Sequence, residues 1–430
     1  MRLASRIRAS GTETRLMGDT EIGSSENQYD IVIAGGGMIG SSLALALAPL
    51  KLRVAVVEAV RRAEKQQPSF DDRSTALSRS SQRMFEAMGL WSDIAESSTP
   101  ITSIHVSDRG RFGFSHINAK EQGVEALGYV VINRTLGEVL QQALIGVDEI
   151  ELVCPGKISS VELQPDRAIV AVEALDGTSR TLSCRLLVAC DGANSAVRDM
   201  VGISVSRVDY EQTAVIGNLW PERPPENRAF ERFTDSGPIA LLPVSDDRAA
   251  FVWTLSPGQA DAVMQLSDDQ FTNELQDAFG FRLGQFSRVG ARAAYPLALS
   301  KASRLVATRC VLVGNAAHGL HPVAAQGFNL GLRDVAALSD CIADAKTGDL
   351  GDAEILDEYR KWRRADQRKL VRITDGIVRL FGSARAPVRA LRNLGMLGFD
   401  LVPGVRSLFA KHMMGLAGRL PRLSRGIPLE

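Results

Sequence analysis

Two patterns of apolar residues divide the chain. In the first, short continuous apolar runs alternate with amphipathic segments, as where runs at 30–34 and 53–58 flank a helix predicted over 41–50. Such runs are typical of strands that are buried on both faces of a parallel sheet. Between 205 and 299, apolar and polar residues alternate and are interrupted by Pro, Gly and Asp, which predicts an antiparallel sheet. The sequence therefore predicts an α/β protein with a second, sheet-based domain.

The same patterns predict the remaining elements. We expect helices over 81–90 and 135–144, and one amphipathic helix over 268–279 that Asp268 or Asp269 caps. Further strands are predicted at 151–154, 167–174, 186–189, 238–243, 249–255 and 309–313. The Asp176-Gly177 pair predicts a hairpin turn between two of them.

Composition excludes several classes of protein. The 430 residues are 45% hydrophobic and 23% charged, which is enough for two or three folded domains. Because 50 Lys and Arg balance 50 Asp and Glu, the net charge gives no support for nucleic-acid binding. Residues 1–27 lack the apolar stretch of a secretory signal and are predicted to form a flexible tail. The five cysteines lie mostly in apolar runs and predict reduced core residues of a cytoplasmic protein.

The charge is distributed unevenly, since residues 359–430 hold sixteen Lys and Arg but four Asp and Glu. This region is helical in pattern, with breaks predicted at Pro387 and Pro403-Gly404. Two interpretations stay open: a helical cap packed on the core, or a basic and apolar surface that contacts an anionic membrane or a lipid-bearing partner. Ile31 to Leu50 is uncharged, but its four glycines argue against a membrane-spanning helix.

A glycine-rich turn provides the first chemical signal. Gly35, Gly37 and Gly40 follow a predicted strand and open a predicted helix, and Glu58 ends the next strand. This arrangement is typical of a dinucleotide site: the glycines permit a tight turn and close approach of pyrophosphate, and the acid accepts hydrogen bonds from a ribose. The unit alone is compatible with NAD or FAD.

Two further segments resemble those of flavoprotein monooxygenases. They are Cys190-Asp-Gly-Ala-Asn-Ser-Ala-Val-Arg198 and the stretch from Gly314-Asn-Ala-Ala-His318 to Gln326-Gly-Phe-Asn-Leu-Gly-Leu-Arg-Asp334. Additional segments resemble the ubiquinone-biosynthesis hydroxylases, in particular the branch that acts on a 2-polyprenyl-6-methoxyphenol: 71–78, 104–110, 210–216, 228–233 and 294–299. The resemblance covers about 29 to 420 and implies a p-hydroxybenzoate hydroxylase-like fold.

In that fold a Rossmann-type FAD domain is interleaved with an antiparallel-sheet substrate domain and followed by a helical C-terminal region. The resemblance implies an FAD domain in three parts, a substrate domain in two parts and a basic helical region. In the same order, we assign FAD-domain parts to 28–100, 129–204 and 300–350, substrate-domain parts to 101–128 and 205–299, and the C-terminal region to 351–430.

The resemblance also implies a set of site residues. Cofactor contacts are expected at Gly35, Gly37, Met38, Ile39, Gly40, Glu58, Arg73, Arg134, Asp191, Gly192, Gly314, Asn315, Pro322, Gly327, Phe328 and Asn329. Pro322 is also expected beside the reacting centre, and His318 is the candidate proton acceptor for a phenol. Asn315 stands where most of the wider family has Asp, so an amide replaces a negative charge there. His318 and His321 are not accompanied by further His or carboxylate residues at the spacing of a metal site, so no metal is expected.

The implied activity is hydroxylation of the aromatic ring of a polyprenyl-methoxyphenol in ubiquinone biosynthesis. In this family NAD(P)H reduces FAD, which captures dioxygen as a C4a-hydroperoxide. The sequence has one Gly-x-Gly-x-x-Gly motif of this kind, so NAD(P)H is expected to bind transiently. Alternatives are another ring position in the same pathway, an unrelated aromatic or lipid substrate, and a flavin-binding scaffold of a biosynthetic complex. Expected partners are a lipophilic prenylphenol, a ubiquinone-biosynthesis protein complex and the inner face of a membrane.

Overall fold

The computed structural model describes residues 27–61, 73–110, 114–244, 247–319, 326–346, 348–382 and 403–430. The strands are β1 Gln28–Ala34, β2 Val54–Val57, β3 Ser74–Ser78, β4 Thr99–Ile101, β5 Ser103–Asp108, β6 Phe114–Asn118, β7 Gly128–Ile132, β8 Ile150–Val153, β9 Lys157–Leu163, β10 Ala168–Glu173, β11 Ser179–Ala189, β12 Val205–Pro221, β13 Arg228–Phe233, β14 Pro238–Val244, β15 Arg248–Leu255, β16 Phe286–Val289, β17 Ala293–Ala302, β18 Val306–Ala307, β19 Cys310–Leu312 and β20 His318–Gly319. The helices are α1 Met38–Leu47, α2 Arg79–Ala87, α3 Trp91–Ala95, α4 Asn133–Ile145, α5 Ala196–Met200, α6 Pro257–Met264, α7 Asp268–Phe279, α8 Gln326–Ala343, α9 Ala353–Gly382 and α10 Pro403–Met413.

The first sheet is built on parallel strands in the order β19-β11-β1-β2-β8, with β18 at one edge. In its centre Ile31 pairs with Leu186 of β11 and with Val54 of β2. The central segments 31–34, 54–57, 186–189 and 310–312 are buried, because α1 packs on the sheet and α4 and α8 pack on α1, which explains their continuous apolar sequences. Strand β10 pairs with β11 and β9 pairs with β10, both in antiparallel fashion, and the predicted turn at Asp176-Gly177 connects β10 to β11.

The second sheet has the order β20-β17-β12-β15-β14-β13-β5-β6, and β16 also pairs with β12. Its pairs are antiparallel except that β13 runs parallel to β5. Helices α6 and α7 cover one face, where Ile239, Phe251 and Phe271 share an apolar core. The other face packs partly on the small sheet β3-β7-β4 through Ala229, Val130 and their neighbours. The predicted alternation of apolar and polar residues therefore corresponds to a sheet whose two faces have different surroundings.

Local capping shifts several helix ends from their predicted positions. Helix α1 begins at Met38 rather than at 41, because the extended backbone of Gly37 caps it. Helix α7 matches the predicted range, but the prediction that Asp268 or Asp269 caps it is wrong. The side chain of Ser267 accepts a hydrogen bond from the Gln270 amide and forms a capping box with that residue. Helix α6, which precedes α7, was not predicted.

The last described segment folds back onto the first sheet. Helix α10 is held to the 120–122 turn by an ion pair between Arg406 and Glu121 and by a hydrogen bond from Ser407 Oγ to Gln122 at 3.0 Å. Beyond it, Leu423 and Leu429 enter the main apolar core. This part of the chain therefore forms a cap on the core, whereas Pro387 lies outside the described residues.

The cysteines and the uncharged segment near the N-terminus were also singled out in the sequence. Cys184, Cys310 and Cys341 are buried, as predicted, whereas Cys154 and Cys190 are half-buried. In the parts of the chain that the structure describes, no helix is long and apolar enough to span a membrane. The uncharged stretch at 31–50 instead forms most of β1, a glycine turn, α1 and a short 3-10 turn at Ala48–Leu50.

Candidate active site

The glycine turn between β1 and α1 borders a cavity of about 1570 Å³, which Gly35, Gly37, Met38 and Ile39 help to line. Gly35 has a φ of +96°, and a Cβ there would lie 2.6 Å from the carbonyl oxygen of Cys190. A Cβ on Gly40 would overlap the carbonyl oxygen of Gly35, so Gly40 acts through close packing behind the wall. The turn and the N-terminus of α1 thus form a cradle of backbone suited to a pyrophosphate.

Glu58 lies beside this cradle at the end of β2. Its Oε2 accepts a hydrogen bond from the Gly36 amide at 2.7 Å, and its Oε1 accepts one from the Val60 amide at 2.9 Å. The carboxylate also lines the cavity. Two backbone donors therefore fix its orientation at the position from which an acid contacts the ribose of a bound dinucleotide.

Asp191 and Gly192 lie opposite, immediately after β11, and both line the cavity. Oδ2 of Asp191 accepts a hydrogen bond from the Val197 amide at 3.0 Å, whereas Oδ1 is buried and has no partner within the described structure. Burial raises the pKa of this carboxyl above its ordinary value. An unsatisfied carboxylate oxygen on a cavity wall fits a ligand that offers hydroxyl groups, as the FAD ribityl chain does.

The second half of the wall comes from the turn Gly314–Ala316 and the start of α8. Gly314, exposed Asn315, Gly327 and Phe328 line the cavity. The Gly314 amide donates a hydrogen bond to Asp334 Oδ2 at 3.1 Å, which ties the turn to the middle of α8. These residues thus lie together on one wall, and their expected contacts with the ribityl chain and ring stay predictions. Pro322 lies outside the described residues.

Asp334 is the centre of a buried charge network behind this turn. His318 Nε2 lies 2.6 Å from its Oδ2, and Arg363 Nε donates to its Oδ1 at 2.6 Å. Burial alone would raise the pKa of Asp334, but His318 and the Arg363 guanidinium hold it below its ordinary value. Arg363 also pairs with Asp366, which in turn pairs with Arg333. Asp334 ends the second of the two motifs that resemble flavoprotein monooxygenases, but neither it nor Arg363 was expected to act in the site.

His318 does not occupy the position that its predicted role requires. It is 3% exposed, contacts Asp334 and is not among the residues that line the cavity. Its Nδ1 has no partner within the described structure. Because a proton acceptor must reach the proton that it removes, this position does not support the predicted catalytic role.

Three other predicted contacts have different outcomes. Arg73 lines the cavity, with its guanidinium 5.1 Å from the ring centre of Tyr295 on the second sheet. Arg134 is exposed at the start of α4 and is not among the lining residues. Asn329 is buried, and its amide bonds Ala76, Ser78 and Ser81 at 2.7–2.8 Å. Arg134 and Asn329 therefore lie away from the cavity surface, and their cofactor contacts stay predictions.

The open face of the second sheet forms the far wall. Ile216, Trp220, Leu242 and Val252 project into the cavity, whereas Leu241 lies in the core beneath α6 and α7. The volume exceeds the roughly 300–1,000 Å³ of a typical small-molecule site, so it can hold a dinucleotide and a second molecule together. Across the described ranges, no group of three metal-binding side chains is found.

Comparisons with known proteins agree with this arrangement. The sequence model of the FAD binding domain family matches residues 28–374. A ubiquinone hydroxylase, UbiL of Rhodospirillum rubrum, is 37% identical over 413 residues, which cover 95% of each chain. The 3-demethoxyubiquinol 3-hydroxylase of Escherichia coli is 32% identical over 90% of this chain and 98% of its own.

A solved structure supports the fold. The p-nitrophenol 4-monooxygenase PnpA of Pseudomonas putida superposes with a TM-score of 0.75 over 91% of this chain and 99% of its own, at 19% identity. That identity is low enough that the match concerns architecture alone. It confirms the predicted fold, and the sequence relatives confirm the resemblance drawn from the motifs. The chain therefore belongs to the FAD-dependent monooxygenases, in the family that contains the ubiquinone hydroxylases.

Proposed function

We propose that this protein hydroxylates the aromatic ring of a polyprenyl-methoxyphenol in ubiquinone biosynthesis. The observation that carries the proposal is the match to ubiquinone hydroxylases over nearly the whole chain. The cavity supports it, because one continuous space joins the glycine cradle at Gly35 to the apolar sheet face at Leu242 and Val252. A ring held against that face can lie beside the cofactor, and a prenyl tail finds apolar side chains.

The residues of the chain bind the cofactor, orient the substrate and exclude water. The α1 N-terminus and Glu58 hold the adenosine end of FAD, and Asp191 offers its free oxygen to the middle of the cofactor. When bound and reduced by transient NAD(P)H, FAD supplies the activation of dioxygen and the transfer of one oxygen atom. The apolar side chains of the sheet face, among them Ile216, Leu242 and Val252, limit the approach of water to a ring that lies against them. This favours transfer to the ring over loss of reactive oxygen to solvent.

A direct assay tests this proposal. Purified protein loaded with FAD receives NADH or NADPH and a 2-prenyl-6-methoxyphenol, and oxygen uptake is followed together with mass spectrometry of the product. We expect a product heavier by one oxygen atom, with the ring position given by nuclear magnetic resonance. A Gly35→Ala variant, in which the new Cβ meets the Cys190 carbonyl, is the matched control and should lose both FAD and turnover. Saturating FAD and reductant with no oxygenated product would overturn the proposal in favour of a scaffold.

We further propose that α10 contacts an anionic membrane, from which the lipophilic substrate enters. Val405 is 50% and Leu408 59% exposed, and Lys411 is exposed on the same side of the helix. The basic excess of residues 359–430 adds electrostatic attraction to anionic lipid.

Sedimentation with vesicles tests this contact. Leu408→Asp should reduce binding to phosphatidylglycerol vesicles, and binding should weaken with salt. Ile145→Asp, at an apolar position on α4 that is 73% exposed, is the control and should bind as wild type does. Equal binding by wild type and both variants would refute a role for α10.

A further inference from the structure

A carboxyl group lies on the cavity-side face of the second sheet without a described partner. In β13, Phe230 points to the core beneath α7, so its neighbour Glu231 points to the opposite face. The pairing of β13 with β14 and β5 places Glu231 between Ala240 and Val106. Ala229, two residues away, shares that face and packs toward the FAD domain.

Strand register connects Glu231 to the cavity wall. Ala240 pairs with Val252, and Val252 pairs with Ile216, so these residues form one row across the face. Val252 and Ile216 line the cavity, as does Leu242, which follows Ala240 on the same face. Because neighbouring strands are about 4.8 Å apart, the backbone of Glu231 lies roughly 10 Å from that of Val252. Glu231 is not itself among the residues that line the cavity, but it is partly exposed, whereas His318 is enclosed, and its sheet face is the one on which Leu242 borders the cavity. Its side chain therefore projects beside the margin of the space that receives the second molecule.

The surroundings of this carboxyl are apolar. Its sheet neighbours are Val106 and Ala240, and no donor in the described ranges is found to bond it. Asp108, on the same face of β5, has an interaction of its own within the protein. Arg232 extends from the opposite face, where it bonds the Phe279 carbonyl. Glu231 is half-buried, and burial raises its pKa to about 7. A hydrogen bond from a ligand hydroxyl would therefore stabilise this carboxyl group.

Resting on the proposed function, we propose that Glu231 is the residue that accepts a hydrogen bond from the phenolic hydroxyl of the substrate and removes its proton. In this step the O–H bond of the phenol breaks and a new O–H bond forms on the Glu231 carboxylate. The electron pair remains on the phenolate oxygen and increases electron density on the ring carbons ortho and para to it. When the hydroxylated ring regains aromaticity, the C–H bond at the oxygenated carbon breaks and its proton leaves to solvent. The Glu231 carboxyl returns its proton to the phenolic oxygen, which restores the carboxylate.

The test compares two substrates. One is a 2-prenyl-6-methoxyphenol, and the other is its derivative with fluorine on two ring carbons, assayed above the pKa of its hydroxyl so that it enters as the phenolate. Its remaining ring carbon keeps the hydrogen that hydroxylation replaces. Glu231→Gln retains shape and one hydrogen-bonding oxygen but cannot take the proton. For the ordinary phenol we expect kcat/KM to fall by about 10²–10⁴-fold, the usual loss when a general base is removed. For the ionised phenol it should stay close to wild type.

Two further readouts separate this role from a structural one. The wild-type profile of kcat/KM should rise with pH through a pKa of about 7, and this limb should vanish in Glu231→Gln. Ultraviolet difference spectra of the bound ordinary phenol, taken without reductant, should show phenolate in wild type and neutral phenol in the variant. Glu226→Gln, at an exposed turn residue before β13, is the control and should match wild type in each measurement.

The outcomes are distinguishable. An equal loss on both phenols, or unchanged spectra of the bound phenol, would overturn the role of Glu231 while hydroxylation by wild type stands. If wild type binds both phenols but hydroxylates neither, the proposed function fails, and the ionisation spectra still decide whether Glu231 takes the proton.

Discussion

Replacing Arg363 by Met should destabilise the fold strongly, although Arg363 is not among the residues that line the cavity. Its guanidinium is 2% exposed and donates to Asp334, which is fully buried, and to Asp366 at 2.7 Å. Methionine approximates the length of the side chain but leaves the Asp334 carboxylate with His318 and Gln367 as its side-chain partners. Breaking one side of a buried ion pair costs about 3–5 kcal/mol, because the remaining charge stays buried.

The loss of stability in Arg363→Met should depend on pH in a definite direction. In the folded protein the pKa of Asp334 is held below its ordinary value, so the pair stabilises the fold above the unfolded pKa of about 3.9. That stabilisation is lost only as the pH falls through the lower, folded value. In Arg363→Met the pKa of Asp334 rises, since burial is no longer opposed by the guanidinium. The difference in free energy of unfolding between wild type and variant should therefore be largest near neutral pH and shrink in mildly acidic solution.

Urea unfolding of the FAD-loaded protein at several pH values measures this difference. Arg360→Met is the matched control, since Arg360 lies on the same helix but pairs with Asp357 at the surface; its unfolding midpoint should stay unchanged. FAD retention should fall in Arg363→Met alone, because Asp334 also holds the Gly314 amide on the cavity wall. A loss below about 1 kcal/mol, or a loss that does not vary with pH, would refute the argument that a buried charge governs this site.

Three further outcomes are expected. Gly40→Ala should lose about 1–3 kcal/mol of stability and release FAD on gel filtration, because its Cβ would overlap the Gly35 carbonyl oxygen; retention of FAD at wild-type level would contradict this. Glu58→Gln should weaken FAD binding about tenfold, or roughly 1.4 kcal/mol, in a fluorescence titration, because the amide places an NH₂ donor where one carboxylate oxygen accepts hydrogen bonds from backbone amides and ribose. Tyr359→Phe, which deletes a buried hydrogen bond to the Leu312 carbonyl at 3.1 Å, should lower the free energy of unfolding by about 1 kcal/mol without changing the FAD spectrum.

Local sequence was sufficient for most of the buried strands of the first sheet and for the nucleotide cradle, but not for elements such as α6. The strand, glycine turn and helix at 28–47 depend on residues close in sequence, so Gly35 and Glu58 were placed correctly on the cavity. By contrast, the sequence pattern of β14 left open whether a given residue belongs to the core or lines the cavity. Only the packing of α6 and α7 on one face decided that Leu241 is core and Leu242 lines the cavity.

What the sequence determined by itself was thus the order of elements, the family and the backbone cradle, because these follow from short-range geometry and repeated motifs. Tertiary structure alone decided which polar groups are available for chemistry. From the sequence, His318 was the candidate base, but in the fold its Nε2 contacts the carboxylate of Asp334, sixteen residues away in the chain. Glu231 gave no such signal, because a carboxyl acquires a raised pKa only when distant strands remove water from it without supplying a donor. Burial and hydrogen-bond partners depend on long-range packing, which gives His318 a carboxylate partner and leaves Glu231 without a described donor.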